Sequence, residues 1–225
     1  MSALISESIA SLIAEVERVL LSNVSIQSVQ PHDPVRVKKI PHPWKLVGTG
    51  NYAAVFMHPN CPDLVVKIYA PGRPGFEEEV EVYRRLGSHE AFSECFWAKD
   101  GVLILKRLQG MTLYDCLHRG VRVPPQVIRD IDRALEDARY RGLRPHDVHG
   151  RNVMMHEGRG LVVDISDFLH EEPCYLWRDL KRVYYSFYLP VLSKLPIRYP
   201  YFILDTVRAV YRIYRRSRRF LRSHF

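Results

Sequence analysis

The sequence predicts an α+β fold in which a strand-rich part precedes a helix-rich part, with one further helix in front of both. Residues 46–56 have a strand, turn and strand pattern around two glycines, and residues 64–69 form another strand-like run. Two amphipathic helices follow at residues 76–86 and 127–138, because apolar side chains recur there at helical spacing. This order of elements predicts the α+β class.

The composition is that of a globular protein. At 225 residues the chain can form one domain or two small lobes, and an apolar fraction of 47% is ample for a buried core. The four cysteines are widely spaced, at Cys61, Cys95, Cys116 and Cys174. This spacing predicts free thiols rather than a zinc site, which fits a reducing cytoplasm.

No targeting or spanning segment is expected. Glu7, Glu15 and Glu17 interrupt the apolar positions of the first residues, so a signal peptide is not predicted. The longest charge-free apolar region, residues 183–193, has 11 residues and contains Pro190, so it is too short to cross a bilayer. We therefore expect a cytoplasmic protein.

Residues 1–43 are predicted to be an amphipathic helix followed by a proline-rich connector. The apolar positions at helical spacing are Ile5, Ile9, Leu12, Ile13, Val16, Val19 and Leu20. Prolines at 31, 34, 41 and 43 exclude a helix in the connector. The helix is expected to dock on the rest of the chain.

The glycine-containing turn in residues 46–56 is a candidate phosphate loop. Backbone N–H groups around Gly48 and Gly50 could lie over phosphates, although the pattern alone also fits an ordinary β-turn. Lys67 favours the phosphate interpretation, because it follows Gly50 by 17 residues within a Val-Val-Lys-Ile strand.

The helix at residues 76–86 places a carboxylate at the edge of its inward face, at Glu79. A lysine buried in a strand needs a counter-ion, so we expect Glu79 to pair with Lys67. Glu77 and Glu78 are expected to face solvent. Further along, a strand at residues 101–108 ends in a connector that either meets an adenine edge or is an ordinary hairpin edge.

The stretch at residues 145–165 has the pattern of a catalytic loop, a hairpin and a carboxylate at a strand end. Asp147 precedes Asn152 by five residues and Asp164 by seventeen. Phosphoryl transfer uses one carboxylate at the substrate hydroxyl, while an amide and a second carboxylate hold Mg²⁺ on the phosphates. The spacing therefore suits a kinase reaction.

The order of these parts resembles the protein-kinase superfamily over residues 44–179. It looks nearest to short bacterial serine/threonine-kinase-like proteins, and the Asp-x-His-x-x-Asn loop is similar to those of RIO-like and aminoglycoside-phosphotransferase-like enzymes. The resemblance implies a bilobal kinase-like fold with ATP between the lobes. The N-lobe, an antiparallel sheet with one main helix, would be residues 44–105, and an abbreviated, mostly helical C-lobe would be residues 106–182.

By position, the resemblance implies that Asp147 is the catalytic base and that Asn152 and Asp164 bind Mg²⁺. Lys67 would hold the α/β-phosphates of ATP, and Glu79 would orient Lys67.

The resemblance also implies a set of residues around the nucleotide. These are Val47, Gly48, Gly50, Asn51, Ala53, Val55, Lys67, Leu105 and Leu108. Leu105 would lie at the back of the adenine pocket, and Leu108 would give hinge contacts. His149 either orients Asp147 or is merely structural.

The chain departs from the kinase pattern at several positions. Ala53 stands for the third loop glycine, and Ile165-Ser166 follow Asp164 where Phe-Gly is usual. Pro145-His146 replace the usual His-Arg, which removes the arginine that would grip a phosphorylated loop. A metal carboxylate at Asp167 is the alternative register, but the strand just before Asp164 argues against it.

The segment after Asp164 is short and reaches Asp179 in about fifteen residues. Asp179 is expected to anchor the catalytic loop. We expect a compact kinase that needs no loop phosphorylation and whose substrate platform is missing or different.

The positive charge is concentrated in the last predicted region, residues 183–225. The formal net charge is +8, but seven arginines lie within residues 208–222 and no acidic residue follows Asp205. Apolar and arginine positions fall on separate faces of a helix here. The candidates are an anionic membrane surface bound by residues 208–222, an acidic protein, nucleic acid as the weaker alternative, or a packed helix with a solvated basic face. Peripheral association with the inner membrane surface follows from the first candidate.

Aromatic residues at 184, 185, 187 and 188 are expected to be core rather than an interfacial belt. For function, the sequence favours an ATP- and Mg²⁺-dependent kinase acting on a serine or threonine hydroxyl of a protein. A small-molecule or lipid-linked sugar kinase on the same fold is the first alternative. A nucleotide-binding pseudokinase scaffold is the second.

Overall fold

The computed structural model describes residues 3–30, 33–195 and 197–222, with side chains described over residues 7–30, 33–195 and 197–213. The strands are β1 (Ser25–Gln27), β2 (Arg36–Lys39), β3 (Lys45–Thr49), β4 (Ala53–Met57), β5 (Leu64–Tyr69), β6 (Cys95–Lys99), β7 (Val102–Lys106), β8 (Met111–Thr112), β9 (Val153–His156) and β10 (Arg159–Val162). The α-helices are α1 (Ala3–Glu15), α2 (Leu21–Asn23), α3 (Phe76–Leu86), α4 (Leu113–Arg119), α5 (Pro125–Tyr140), α6 (Leu176–Val183) and α7 (Tyr201–Arg222). The predicted α+β class is therefore confirmed.

A five-stranded antiparallel sheet of order β3-β4-β5-β7-β6 forms the first part of the fold. Side chains alternate along β5, so Val65, Lys67 and Tyr69 share one face. Helix α3 covers this inner face with Val82 and Leu86, both fully buried. The lysine predicted for a strand is thereby directed to the side of the sheet where α3 lies.

The outer face of the same sheet is covered by the N-terminal helix. Helix α1 continues through a π-helical segment, Val16–Leu20, into α2. Its buried residues Leu12, Val16 and Leu20 pack in one cluster with Phe56 and Val66 of the sheet. The helix predicted before the sheet is present, and it docks on the side of the sheet away from α3. Pro31 of the connector and the side chain of Ile5 lie outside the described residues.

The second part of the fold is built around α5. One side of this helix is fully buried, and the hairpin of β9 and β10 lies against it. Asp130 of α5 accepts hydrogen bonds from Arg159 Nε at 2.7 Å and from the Gly160 N–H at 3.2 Å. This carboxylate therefore fixes the hairpin that follows the loop at residues 145–152.

The aromatic segment at residues 184–188 corrects one expectation. Tyr184 is buried and Tyr188 is half-buried, as core residues are. Tyr185 and Phe187, however, are 44% and 53% exposed. The core prediction is wrong for these two residues, because a single helical turn can direct only part of such a run inward.

The anchoring role expected for Asp179 is also wrong. Its carboxylate accepts a hydrogen bond from Tyr211 Oη at 2.7 Å and lies 3.5 Å from Arg178, instead of binding the loop at residues 145–152. The terminal helix α7, which the sequence did not connect to this aspartate, supplies its partner.

The cysteines and the helices bear on redox chemistry and on membrane spanning. All four cysteines are free. In the part of the chain that the structure describes, no helix is both long and apolar enough to cross a bilayer.

Gly160 tests how tightly α5 and the hairpin pack. A Cβ at this position would overlap the carbonyl oxygen of Val127 and lie 2.9 Å from Cγ1 of Ile131. We expect Gly160→Ala to lower the free energy of unfolding by about 3 kcal/mol, because backbone cannot yield as a flexible side chain does. Urea denaturation measures this. Gly48→Ala is the matched control, since its Cβ would meet nothing within 4 Å. Equal stability of the two variants would contradict the packing argument.

Candidate active site

A buried ion pair joins the sheet to α3. Lys67 Nζ lies 2.7 Å from Oε2 of Glu79, and the two side chains are 14% and 1% exposed. Burial lowers the pKa of Lys67, but the charges of Glu79 and Asp164 outweigh it and hold the pKa above its usual value. The contact predicted between these two residues is therefore present, and Lys67 stays protonated.

Tyr69 completes this pair and was missed by sequence reasoning. Its Oη donates to Oε2 of Glu79 at 2.5 Å, and its ring lies 5.6 Å from Lys67 Nζ. Burial, and then the charge of Glu79, raises the pKa of Tyr69. The sequence contained a signal for this contact, because Tyr69 follows Lys67 by two residues and such residues share a face of a strand.

Asp164 lies on the open side of Lys67. Its Oδ1 is 3.9 Å from Lys67 Nζ, and its side chain is 43% exposed. Ser166 donates to the same Oδ1 from its backbone N–H at 3.2 Å and from its hydroxyl at 2.9 Å. Partial burial raises the pKa of Asp164, but Lys67 and the Ser166 hydrogen bonds outweigh this and lower it. The carboxylate is ionised and accessible.

Ile165 and Ser166, the departures from the usual Phe-Gly, have clear structural places. Ile165 is 1% exposed in the main core cluster. The described non-glycine residues with positive φ are Asp100, Asp147 and Glu157, so Ser166 has an ordinary backbone that needs no glycine. The serine therefore holds Asp164 in a way that a glycine at the same position could not.

The loop at residues 145–152 is held by the side-chain amide of Asn152, which belongs to the same loop. Asp147 has a φ of 52°, a left-handed conformation that aspartate tolerates better than most residues. Asn152 Nδ2 donates to the carbonyl oxygen of Asp147 at 3.1 Å, and the Asn152 N–H donates to the carbonyl of His149 at 2.8 Å. Within the described residues, Oδ1 of Asn152 accepts no hydrogen bond, so it is available to a metal ion.

His149 lies beside Asp147 but beyond hydrogen-bonding distance. Its Nε2 is 3.6 Å from Oδ2 of Asp147, and its Nδ1 accepts from the Arg151 N–H at 3.2 Å. Burial, and then the charge of Arg208, lowers the pKa of His149. The ring is therefore neutral at physiological pH, and it supports the loop more than it orients the Asp147 carboxylate.

Several carboxylates share the site. Burial, followed by the charges of Asp167 and Asp164, raises the pKa of Asp147 to about 6. The pKa of Asp167 is raised by burial and by Asp164. A basic group with a pKa near the working pH is suited to accept a proton. The clustered negative charge also favours a bound cation.

From the sequence, Asp167 was considered only as the alternative metal ligand. The ionic contact with Lys67 is made by Asp164, and Asp167 lies further along the loop, between the buried residues Ile165 and Phe168. The distance favours Asp164 for the ligand role, while Asp167 acts on the charge of Asp147.

The residues expected around a nucleotide line the inner face of the sheet and its glycine turn. Leu105 is buried and pairs in register with Val65, next to Ala53 and half-buried Val55 in the same cluster. Leu108 is half-buried in the connector after β7. These positions fit an apolar pocket beside the ion pair.

The turn that would cover the phosphates is open. Val47 is 52% exposed, Gly50 and Asn51 are exposed, and a Cβ at Gly48 would meet nothing within 4 Å. Ala53 already lies in β4, paired with Tyr69. Ala53 thus replaces the third glycine at a position that already belongs to a regular strand. The replacement therefore does not change the turn at Gly48 and Gly50.

Helix α7 contacts the catalytic loop from outside, which sequence reasoning also missed. Arg151 Nη2 lies 2.8 Å from Oδ1 of Asp205, and its guanidinium stacks 4.1 Å from the ring centre of Tyr114. Tyr114 Oη donates to the same oxygen of Asp205 at 2.6 Å. The signal in the sequence was Asp205, the last acidic residue of a basic tail, which could form an ion pair with Arg151.

The donor set fits Mg²⁺ bound together with phosphates. No group of three or more His, Cys, Asp or Glu side chains in the described chain is arranged to hold a metal by itself. Mg²⁺ is commonly bound through one or two carboxylates with substrate phosphates completing the shell. Asp164 and the free Oδ1 of Asn152 supply the oxygens of such a site.

The ion pair provides a stability test. Glu79→Gln leaves the Lys67 ammonium buried with only the 3.9 Å contact to Asp164, so we expect the free energy of unfolding to fall by about 3 kcal/mol. Lys67→Met combined with Glu79→Gln should recover most of this loss, because no uncompensated charge remains. Chemical denaturation of wild type, Glu79→Gln, Lys67→Met and the double variant gives the coupling. Glu78→Gln, on an exposed neighbour, should change little. Strictly additive losses would argue against the coupling.

The similarity of this chain to known proteins agrees with what the geometry of the site indicates. The chain is 28% identical over 180 residues to a protein of Bacillus subtilis (strain 168) named "Putative serine/threonine-protein kinase YrzF", covering 79% of this chain and 83% of that protein. No family model matches the sequence. The kinase domain of Mycobacterium tuberculosis PknI aligns at 23% identity and a TM-score of 0.43, over 57% of this chain and 59% of that domain. With the α+β architecture and the pairing of Lys67 with Glu79, the Bacillus relative confirms the predicted resemblance to the protein-kinase superfamily.

Proposed function

We propose that this chain is an ATP- and Mg²⁺-dependent phosphotransferase that acts on a serine or threonine hydroxyl of a protein. The observation that carries the proposal is the buried pair of Lys67 and Glu79 with the accessible Asp164 beside it. A buried ion pair contributes little net stability compared with well-packed apolar residues. Its presence beside the accessible carboxylate of Asp164 is better explained by the binding of phosphates than by folding.

Asp147 is the proposed catalytic base. It accepts the proton of the acceptor hydroxyl as the oxygen attacks the terminal phosphorus of ATP, while ADP leaves with the electrons of the broken bond. Its pKa of about 6 leaves the carboxylate largely ionised at neutral pH yet basic enough to take a proton. Asn152 holds the backbone of Asp147 in place through its amide.

Lys67 is proposed to hold the α- and β-phosphates, while Glu79 fixes the position of its ammonium and Tyr69 fixes the Glu79 carboxylate. Asp164 and Asn152 would bind Mg²⁺, which neutralises charge on the transferring phosphates when bound. The open turn at Gly48 and Gly50 gives backbone N–H groups room to cover them.

A small-molecule or lipid-linked hydroxyl is the second candidate acceptor. The structure has no helix or strand in residues 165–175, the segment that follows Asp164. A protein acceptor needs a surface on which to lie, and this short segment offers little. The pseudokinase alternative is less well supported, because a scaffold does not need a buried lysine paired with Glu79 beside an ionised Asp164.

Nucleotide binding is tested by thermal stability. MgATP at about 100 times its Kd should raise the free energy of unfolding by roughly 2.7 kcal/mol, or about 5–10 °C in Tm. Asp164→Ala should abolish the dependence of this shift on Mg²⁺, whereas the matched variant Asp167→Ala should keep it. No shift for the wild-type protein would exclude both kinase assignments. Loss of Mg²⁺ dependence in Asp167→Ala alone would move the metal ligand to that residue.

Catalysis and acceptor class are tested together. Asp147→Asn should keep the MgATP shift and lower the turnover rate by about 10²–10⁴-fold, because only the proton acceptor is removed. Transfer of labelled phosphate from ATP in a host lysate, compared between wild type and Asp147→Asn, shows whether the label reaches proteins or small molecules. Wild-type turnover in Asp147→Asn would disprove the base assignment. Label only on small molecules would replace the protein acceptor with the second candidate.

A further inference from the structure

Helix α7 exposes its apolar side chains to solvent. Phe202, Val207, Val210 and Ile213 are 70%, 63%, 61% and 64% exposed. At 100° per residue these four side chains lie on one side of the helix. A surface helix ordinarily buries such a side against its own domain. Among the residues whose side chains the structure describes, the apolar side of α7 is therefore exposed.

The opposite side of α7 is the one attached to the domain, and it is polar. Tyr201 donates to Asp115 at 3.0 Å, and its ring stacks on His118 with centroids 3.6 Å apart. Further along, Asp205 binds Arg151 and Tyr211 binds Asp179. Because these contacts fix the rotation of the helix, its apolar side is held facing away from the domain.

The segment before α7 adds to the exposed apolar surface. Val183, Phe187, Val191 and Leu195 are 60%, 53%, 47% and 50% exposed. Two basic residues, Lys194 and Arg198, are exposed in the same segment. Exposed apolar side chains are therefore not confined to α7 in this part of the chain.

Charge decides which partner fits. Seven arginines lie within residues 208–222, and Asp205, the last acidic residue, is neutralised by Arg151 at 2.8 Å. A second copy would bring two strongly basic helices together, which like-charge repulsion opposes. Nucleic acid would match the charge, but its phosphate backbone gives no place for Phe202 or Val210. An anionic lipid surface offers apolar depth and negative charge together.

We propose that α7 docks this protein on an anionic phospholipid bilayer, with the apolar side containing Phe202, Val207, Val210 and Ile213 inserted at the interface. The arginines within residues 208–222 add the positive charge that attracts the helix to anionic lipid. The polar side of the helix keeps its contacts with α4, α6 and the catalytic loop, since docking uses none of them. The site is therefore held close to the bilayer while its geometry is unchanged.

Vesicle flotation of the full chain tests the proposal. Wild-type protein should float with vesicles containing about one-third phosphatidylglycerol in phosphatidylcholine, float much less with phosphatidylcholine alone, and lose binding as salt rises. The variant Val207→Gln/Val210→Gln/Ile213→Gln should bind the anionic vesicles at least about tenfold more weakly, because the inserted apolar surface is gone. Its melting temperature should match that of wild type, since these side chains are exposed.

Tyr140→Gln is the matched control, because Tyr140 is 82% exposed but lies on α5. It should bind vesicles as wild type does. The proposal is overturned if wild type fails to float with anionic vesicles, if neutral vesicles bind equally well, or if the triple variant floats like wild type. A wild-type dimer that dissociates in the triple variant, or binding to polyglutamate or RNA without vesicle binding, would also overturn it and assign the surface to that partner.

Discussion

The pairing of Lys67 with Glu79 is the contact on which the candidate site depends. It joins β5 of the central sheet to helix α3 on the inner face, at a separation of 2.7 Å. Tyr69 holds the carboxylate, and Asp164 faces the ammonium from the second part of the fold. Because a charge buried without its partner costs several kcal/mol, the positions of β5, α3 and the segment after β10 are mutually constrained. The glycine turn and the catalytic loop are then placed on either side of this centre.

Local pattern was sufficient to predict most of this centre. The apolar run around Lys67 predicted a lysine buried in a strand, and helical periodicity placed Glu79 at the edge of a buried face. Charge compensation connected the two across 12 residues of sequence. The spacing of Asp147, Asn152 and Asp164 likewise followed from a loop and hairpin that form locally. These features were predictable because each depends on neighbours in sequence and on one simple physical requirement.

Contacts between distant segments were not predictable in the same way. Asp179 was expected near the catalytic loop, but Tyr211 binds it instead, 32 residues further along the chain. Tyr185 and Phe187 were expected in the core and are exposed, since composition does not specify which side of a short helical run faces inward. The serine after Ile165 was counted as a lost glycine, whereas its hydroxyl binds Asp164. For Asp179, Tyr185 and Phe187 the outcome depends on elements that only the whole fold positions. The contact of Ser166 with Asp164 is local, and it was missed because only the loss of the glycine was considered.

The contact between Arg151 and Asp205 ties the conformation of the catalytic loop to helix α7. Arg151 directly precedes Asn152, and its guanidinium lies between the carboxylate of Asp205 and the ring of Tyr114. Shortening the chain before Asp205 would leave that guanidinium without its counter-ion one residue from a proposed metal ligand. Deleting the tail would therefore have two effects at once. It would remove the proposed membrane-binding helix, and it would also change the conformation of the catalytic loop. Substitutions on the outward side of the helix separate the two effects.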